Sequence, residues 1–268
     1  MGRLITTSIN NRDRRLLRRK IIRKSKKINM KTGYFNSSLI KPLVKASAQN
    51  AAFVAGDIVF DWTGFEIPRG TAKLLGATIK IRSKGDSGST VQPAGVNLLF
   101  AKGPFPDATP TSLGTANAEV TNFASTDIVG AMPSAAADSF GLRTLYQSTV
   151  SSSELVLEPN GNSGDNVGVD KFYVAGLAAG ALDFRSSVTV DGTPGTGQAN
   201  LDVADLDPDL FMAVGDVVHD EDDRLMGTIS VFTGTNDVGM AANLANAGVN
   251  DKLIYNINPI EIILHFQK

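Results

Sequence analysis

The chain has no cysteine, a single tryptophan and only two histidines in 268 residues. Without cysteine there are no disulfides, no thiolate metal ligands and no thiol nucleophile. The two histidines, His219 and His265, lie far apart in the chain, which leaves little material for an imidazole-based metal centre or acid–base pair. No apolar run approaches the ~18 residues that a membrane-spanning helix needs, so no membrane partner is expected. The N-terminus is basic but has no apolar core of the kind found in secretion signals, so a classical signal peptide is not expected.

What is present is a β-forming composition. Hydrophobic residues make up 42% of the chain, ample for a core, while Lys and Glu are scarce after residue 45 and glycine reaches 26 residues. Thr, Ser, Asn and Asp accompany the glycines between short apolar stretches, as in strands joined by turns. The length fits one large β domain or two smaller ones.

Charge is divided unevenly. Residues 10–31, "NNRDRRLLRRKIIRKSKKINMK", hold eleven bases and one acid, whereas residues 32–268 hold 14 bases and 26 acids. The net charge of -1 therefore conceals a basic leader and an acidic body. Such asymmetry marks a segment that binds something anionic. The candidate contacts are Arg12, Arg14, Arg15, Arg18, Arg19, Lys20, Arg23, Lys24, Lys26 and Lys27. Three readings stay open. Leu16, Leu17, Ile21, Ile22 and Ile28 form a loose stripe for a basic amphipathic helix with Asn10 or Asn11 as its N-cap. Alternatively the segment is an extended arm that tracks phosphates. In the third reading Met30 is the natural start and the leader is upstream sequence.

Along the body, "GDIVFDWTGFEIP" (56–68) opens a strand-rich region with Ile58, Phe60 and Trp62 alternating with Val59, Asp61 and Thr63. "AKLLGATIKI" (72–81) reads as a strand followed by a Gly-Asp-Ser-Gly turn, and "GVNLLFAKGPFP" (95–106) as a strand stopped by its prolines. Residues 109–137 read as long loops with one or two short elements. "LYQSTVSSSELVLEPNGNSGD" (145–165) reads as a strand pair ending in an Asn160-Gly161 turn. Gly176 and Gly180 argue against a helix and for a glycine-bearing loop between two strands. "FMAVGDVVHDEDDRLMGTISVF" (211–232) reads as a hairpin with an acidic tip, Gly227 relieving its bend. "PIEIILHFQ" (259–267) reads as a central strand with Ile260, Ile262, Leu264 and Phe266 on one face. A weak echo links "AGDIVFD" (55–61) to "VGDVVHD" (214–220), as two copies of a Gly-Asp lead-in to a strand.

The expected fold is all-β: a jelly-roll-like β-sandwich with a small β-barrel or hairpin insert near the C-terminus and a basic N-terminal arm. Residues 1–45 form the arm, 46–190 with 257–268 the sandwich, and 191–256 the insert. The competing division gives the last strand to a separate C-terminal domain.

Chemistry-bearing patterns are weak. His219 beside Asp220, Glu221, Asp222 and Asp223 is conceivable as a cation site, but the spacing is not that of a calcium loop and a hairpin tip is normally solvated. "GDSGS" (85–89) matches a protease nucleophile loop for five residues only and has no placed His or Asp partners. "GTPGTG" (192–197) lacks the Lys-Ser/Thr of a phosphate loop. Asp202, Asp205, Asp207 and Asp209 alternate with apolar residues around Pro208 and read as a loop pinned to the core. Trp62 with Phe65 suits a core better than a sugar-stacking platform. No enzyme, cofactor or metal is expected.

Several segments together carry a resemblance: "FEIPRGTAKLLGATIKIRSK", "VNLLFAKG", "SLG" (112–114), "VGDVVHDEDDRLMGTI" and "NDKLIYNINPIEIILHF". Over residues 65–266 the chain resembles virion structural proteins of tailed bacteriophages of the marine myovirus type. The resemblance implies a capsid-associated, decoration-type role, location in the virion, other virion proteins (the major capsid protein first) as partners, and homo-oligomerisation. It brings no catalytic residues. The arm adds an expected contact with nucleic acid. The alternative is a carbohydrate-binding or adhesin-like β-sandwich presenting Trp62, Tyr146 or Tyr173. A hydrolase built on His219 and the neighbouring acids is the third reading.

Overall fold

The structure is a computed structural model that describes residues 35–103, 108–122, 128–134, 137–139, 143–158, 169–204 and 207–268, all within the unit Phe35–Lys268. The ten basic residues from Arg12 to Lys27 and the Asn160-Gly161 turn lie outside the described residues.

Strands dominate. The first eight are β1 (Phe35–Ile40), β2 (Ile58–Pro68), β3 (Ala72–Ile81), β4 (Val96–Ala101), β5 (Ile128–Met132), β6 (Ala137–Asp138), β7 (Leu145–Leu157) and β8 (Val169–Ala178). Six shorter strands follow: β9 (Thr189–Val190), β10 (Asn200–Ala204), β11 (Val217–Asp220), β12 (Leu225–Thr233), β13 (Asp237–Met240) and β14 (Ile254–Asn256). The last is β15 (Ile260–Gln267). Two short 3-10 helices, Ala46–Asn50 and Pro208–Leu210, complete the elements among the described residues. The fold is all-β, built from three antiparallel sheets ordered β1-β15-β3-β7-β6, β2-β8-β4-β5 and β14-β11-β12-β13-β10-β9.

The first two sheets share one core. In β15, Ile260, Ile262, Leu264 and Phe266 are buried while His265 is exposed, as the alternation requires, and the strand lies centrally between β1 and β3. Phe65 of β2 packs against Phe100 of β4, Phe172 of β8 and Phe266 of β15, with ring centroids 6.3, 6.1 and 6.0 Å away, so aromatic contacts tie the two sheets together. β2 departs from simple alternation. Its register against β8 shifts between Ile58 and Phe60 and again between Phe60 and Thr63. Val59, Phe60, Phe65 and Ile67 reach the shared core, and Ile58 and Trp62 face outward under Leu113 and Tyr173. Residues 108–122 therefore cover the outer face of this sheet, and Trp62 donates its indole N–H to the Thr111 carbonyl at 2.9 Å.

Four expectations change. Residues 35–40, assigned to the arm, form β1 and pair with β15 along their whole length. Their polar sequence and the 60% exposure of Leu39 hide the strand, because an edge strand needs little apolar content. Residues 145–157 form one strand, not a pair; the register against β3 jumps between Leu74 and Gly76, which absorbs the Ser-rich middle. Gly176 lies inside β8 and is paired on both sides, to Phe60 and Leu98, so it is no loop glycine. Residues 200–204 form β10, with Leu201 and Val203 buried and Asp202 outward.

The third sheet has its own core, including Leu201, Val218, Met226, Ile229, Val238 and Ile254. The 217–220 and 225–233 hairpin is present, its register shifts next to Gly227, where a bend is relieved, and a Cβ at Gly227 would also meet the Met240 sulfur at 3.1 Å. The two outer members of the sheet also bond to each other. Val190 N–H donates to the Lys252 carbonyl at 2.9 Å and Ile254 N–H to the Val188 carbonyl at 3.0 Å.

The Gly-Asp echo has a local cause. Gly56 and Gly215 take φ of +95° and +87°, the third position of a tight turn that favours glycine. In each turn the Asp N–H donates back three residues, to Val54 or Ala213, at 3.1 or 3.0 Å. Each Asp carboxylate in turn accepts the N–H of that same residue, at 2.7 Å for Asp57 and 2.9 Å for Asp216. Both copies are one turn that closes on itself before a strand.

Candidate functional site

The acids of the 219–223 hairpin tip are engaged, not simply solvated. Asp220 is buried; its Oδ2 receives the Arg224 guanidinium at 2.5 and 2.7 Å, and its Oδ1 receives the N–H groups of Asp222 and Arg224 at 3.1 and 2.9 Å. Asp223 accepts both the N–H and the hydroxyl of Ser47, at 3.0 and 2.5 Å. Burial pushes its carboxyl up, but the Ser47 bonds and nearby Lys45 outweigh this and hold it below the usual range. Asp222 pairs with Lys252, which lies 3.4 Å from Glu221. Among the described residues no group of three acids or histidines is placed to hold a cation.

"GDSGS" is a turn. Ser89 N–H donates to the Asp86 carbonyl at 2.9 Å, and the Asp86 carboxylate accepts the Thr90 N–H at 3.0 Å. Ser87, at the nucleophile position of such a loop, is exposed at the turn, and Ser89 is buried at φ +45°. Next to this turn, Asp183 receives Arg185 at 2.7 Å and Lys84 at 3.1 Å. Burial raises the Asp183 carboxyl, but bonds from the Arg185 side chain and backbone and from Lys84 prevail and bring it from 3.8 to about 2. A depressed carboxyl stabilises the fold fully above its unfolded value and loses that contribution as pH falls through its folded value. Wild-type stability should therefore fall between pH 4 and 2 partly through this group. Asp183→Asn should flatten that part of a Tm-against-pH profile, and an unchanged slope would remove Asp183 from the account of acid stability.

Trp62 and Tyr173 are 9% and 3% exposed, with their remaining exposed edges on a groove between β1 and β2, and Tyr146 is half-buried. This open groove of about 610 Å³ runs past Leu39, Lys41, Glu66 and Lys171.

The feature with functional weight is the distribution of charge. Residues 188–256, the third sheet and its loops, contain twelve acids and two bases, nearly all of the body's negative excess. On the outer face Asp202 stands directly opposite Asp237, and Asp191 N–H donates to the Asp202 carbonyl at 2.9 Å, which brings a third acid alongside. Like charges placed so oppose the fold. Counting acids in this window alone would have located the patch. Sequence reasoning missed a second residue, Asp216, whose signal was the Gly-Asp echo. It is 1% exposed, accepts the Asn256 amide at 2.8 Å, and lies 3.5 Å from Lys41 and 3.9 Å from Arg82.

Nothing matches the chain among protein-family models, curated proteins or solved structures.

Proposed function

We propose that this chain is a non-enzymatic structural protein of a tailed-bacteriophage virion, a decoration or head-associated component held by the major capsid protein and by copies of itself. The observation that carries the reading is the nesting of strand pairs in the first two sheets. β1 pairs with β15, β2 with β8, β3 with β7 and β4 with β5, each pair enclosed by the one before. The sheets run β1-β15-β3-β7 and β2-β8-β4-β5, the order made by folding a long antiparallel ribbon over on itself. That order supports a jelly-roll sandwich, an architecture used for viral shells and lectins. The bonds between the outer members of the third sheet support a small closed barrel inserted before the last sandwich strand. Between shell and lectin, the near-complete burial of Trp62 and Tyr173 favours the shell, with the half-buried Tyr146 the one aromatic of the three left to a lectin-type platform.

The basic residues Arg12 to Lys27 supply the anion-binding function, with nucleic acid as partner. The acidic body repels phosphates, so the contact is confined to that segment. Two measurements test the reading. Fractionation of the native source should place the protein in virus particles, and its absence from them would overturn the assignment. Duplex-DNA binding by the full chain should weaken with salt along a slope of about -0.9 per phosphate engaged. A chain beginning at Met30 should not bind, and equal binding by both forms would remove the arm from the function.

A further inference from the structure

Residues 41–50 lie between the two cores and face both. Val44 and Ala48 belong to the large core, while Ala46 packs with Tyr255 and Ile257 beside the small one. On the sandwich side, the Asn117 amide donates to the Ala48 carbonyl at 2.8 Å. Toward the third sheet the attachments are more numerous. Val44 N–H donates to the Ile257 carbonyl at 2.9 Å, and Ser47 is held by Asp223. The buried Gln49 amide bridges the Val44 and Asn256 carbonyls at 2.9 Å each, and the Tyr255 hydroxyl donates to Asn50 at 2.7 Å.

We propose that this strap is a latch that sets the orientation of the small β module, and that the module swings about its two crossings, near residues 183–188 and 257–259, when the latch opens. Three observations carry the inference. The strap's apolar anchors are small, one Val, two Ala and Pro42, so much of its hold is hydrogen bonds, of which the Ser47–Asp223 pair is open to water. Its 3-10 turn, Ala46–Asn50, has no side-chain cap. Away from the strap, ties across the junction among the described residues include the Ser83 hydroxyl to the Leu210 carbonyl at 3.3 Å, Arg82 near Asp216, the Phe211 ring against Gly85, and the bonds of Ile257 N–H to the Val217 carbonyl and Val217 N–H to Asn258, both at 3.0 Å. These lie at the two crossings, where hinges would be: Gly85 bonds to Arg185 and Ser187 beside the first, and Arg82 N–H donates to the Pro259 carbonyl at the second. The strap follows edge strand β1 directly, so a load on β1 reaches the latch first. A module that can take more than one angle lets identical chains meet unlike neighbours. The inference does not rest on the virion reading.

The cysteine-free chain allows a clean test. Spin labels at Val156→Cys and Val231→Cys, both exposed, report the distance between sandwich and module. The parent should give one narrow distance distribution. Ser47→Ala with Gln49→Ala should add a second population, with amide exchange at Val44 and Ser47 roughly tenfold faster. An unchanged distribution in the folded double variant, even with faster exchange in the strap, would overturn the latch. If the double variant does not fold, Tyr255→Phe carries the same test. It removes one hydroxyl from the strap's attachments, and it should broaden the distribution, an unchanged width again refuting the proposal.

Discussion

Asp216→Ala is expected to cost about 3 kcal/mol of stability, lowering Tm by about 6–12 °C for a chain of this size. The carboxylate is 1% exposed, and its Oδ2 accepts two donors, the Ala213 N–H at 2.9 Å and the Asn256 amide at 2.8 Å. The Asn256 side-chain Oδ1 accepts the Asn258 N–H at 2.8 Å, and the Asn258 Oδ1 accepts the Val217 N–H at 3.0 Å, so removing one carboxylate loosens a connected series. Lys41 and Arg82 approach the carboxylate from the sandwich but keep about a third of their surface in water, so their loss adds less than a fully buried pair would. The twin turn provides the control. Asp57 closes the same loop on Val54 but has no such series behind it, and Asp57→Ala should cost about 1 kcal/mol. Urea unfolding of the two variants measures the difference. Equal losses would mean that Asp216 acts only as a turn residue.

The contrast between these two aspartates shows what the chain discloses locally. The Gly-Asp turn is legible because its partners lie three residues apart. The further role of Asp216 is not, because Lys41 is 175 positions away and Asn256 is 40. The same distinction runs through the fold. β2, β3, β4, β11, β12 and β15 announce themselves by apolar content and alternation, since each buries at least one face. β1 does not, because it lies at an edge. The strand pair expected after Leu145 is one strand as far as Leu157, because β3 holds both halves of β7 in one ladder across a register jump. The nesting of pairs is a long-range property that no local period encodes. For the candidate site, the basic segment and the acidic body were plain from charge counts. The concentration of acid within residues 188–256 needed only a narrower window. That Trp62 serves the core follows from a loop fifty residues on, whose Thr111 carbonyl takes its N–H.

Gly176→Ala is the second large loss expected, about 3 kcal/mol. The residue sits mid-strand with Phe60 on one neighbour and Leu98 on the other, and its backbone angles are open to any residue, so space alone is at issue. A Cβ there would have three Phe60 ring carbons as its nearest neighbours, each closer than 3.0 Å. Phe60 is 1% exposed and belongs to the core that joins both sheets, so its ring has nowhere to retreat without disturbing close-packed neighbours. Two comparisons isolate the cause. Gly197→Ala, with nothing within 4 Å of the added methyl, should stay within about 0.5 kcal/mol of the parent. Phe60→Leu combined with Gly176→Ala should lose less than the sum of the separate losses, because the smaller side chain vacates the space the methyl needs. Strict additivity would mean that the glycine is required by the backbone rather than by the ring. In that case the Phe60–Gly176 pairing would not be what holds β2 in register with β8 between its two shifts.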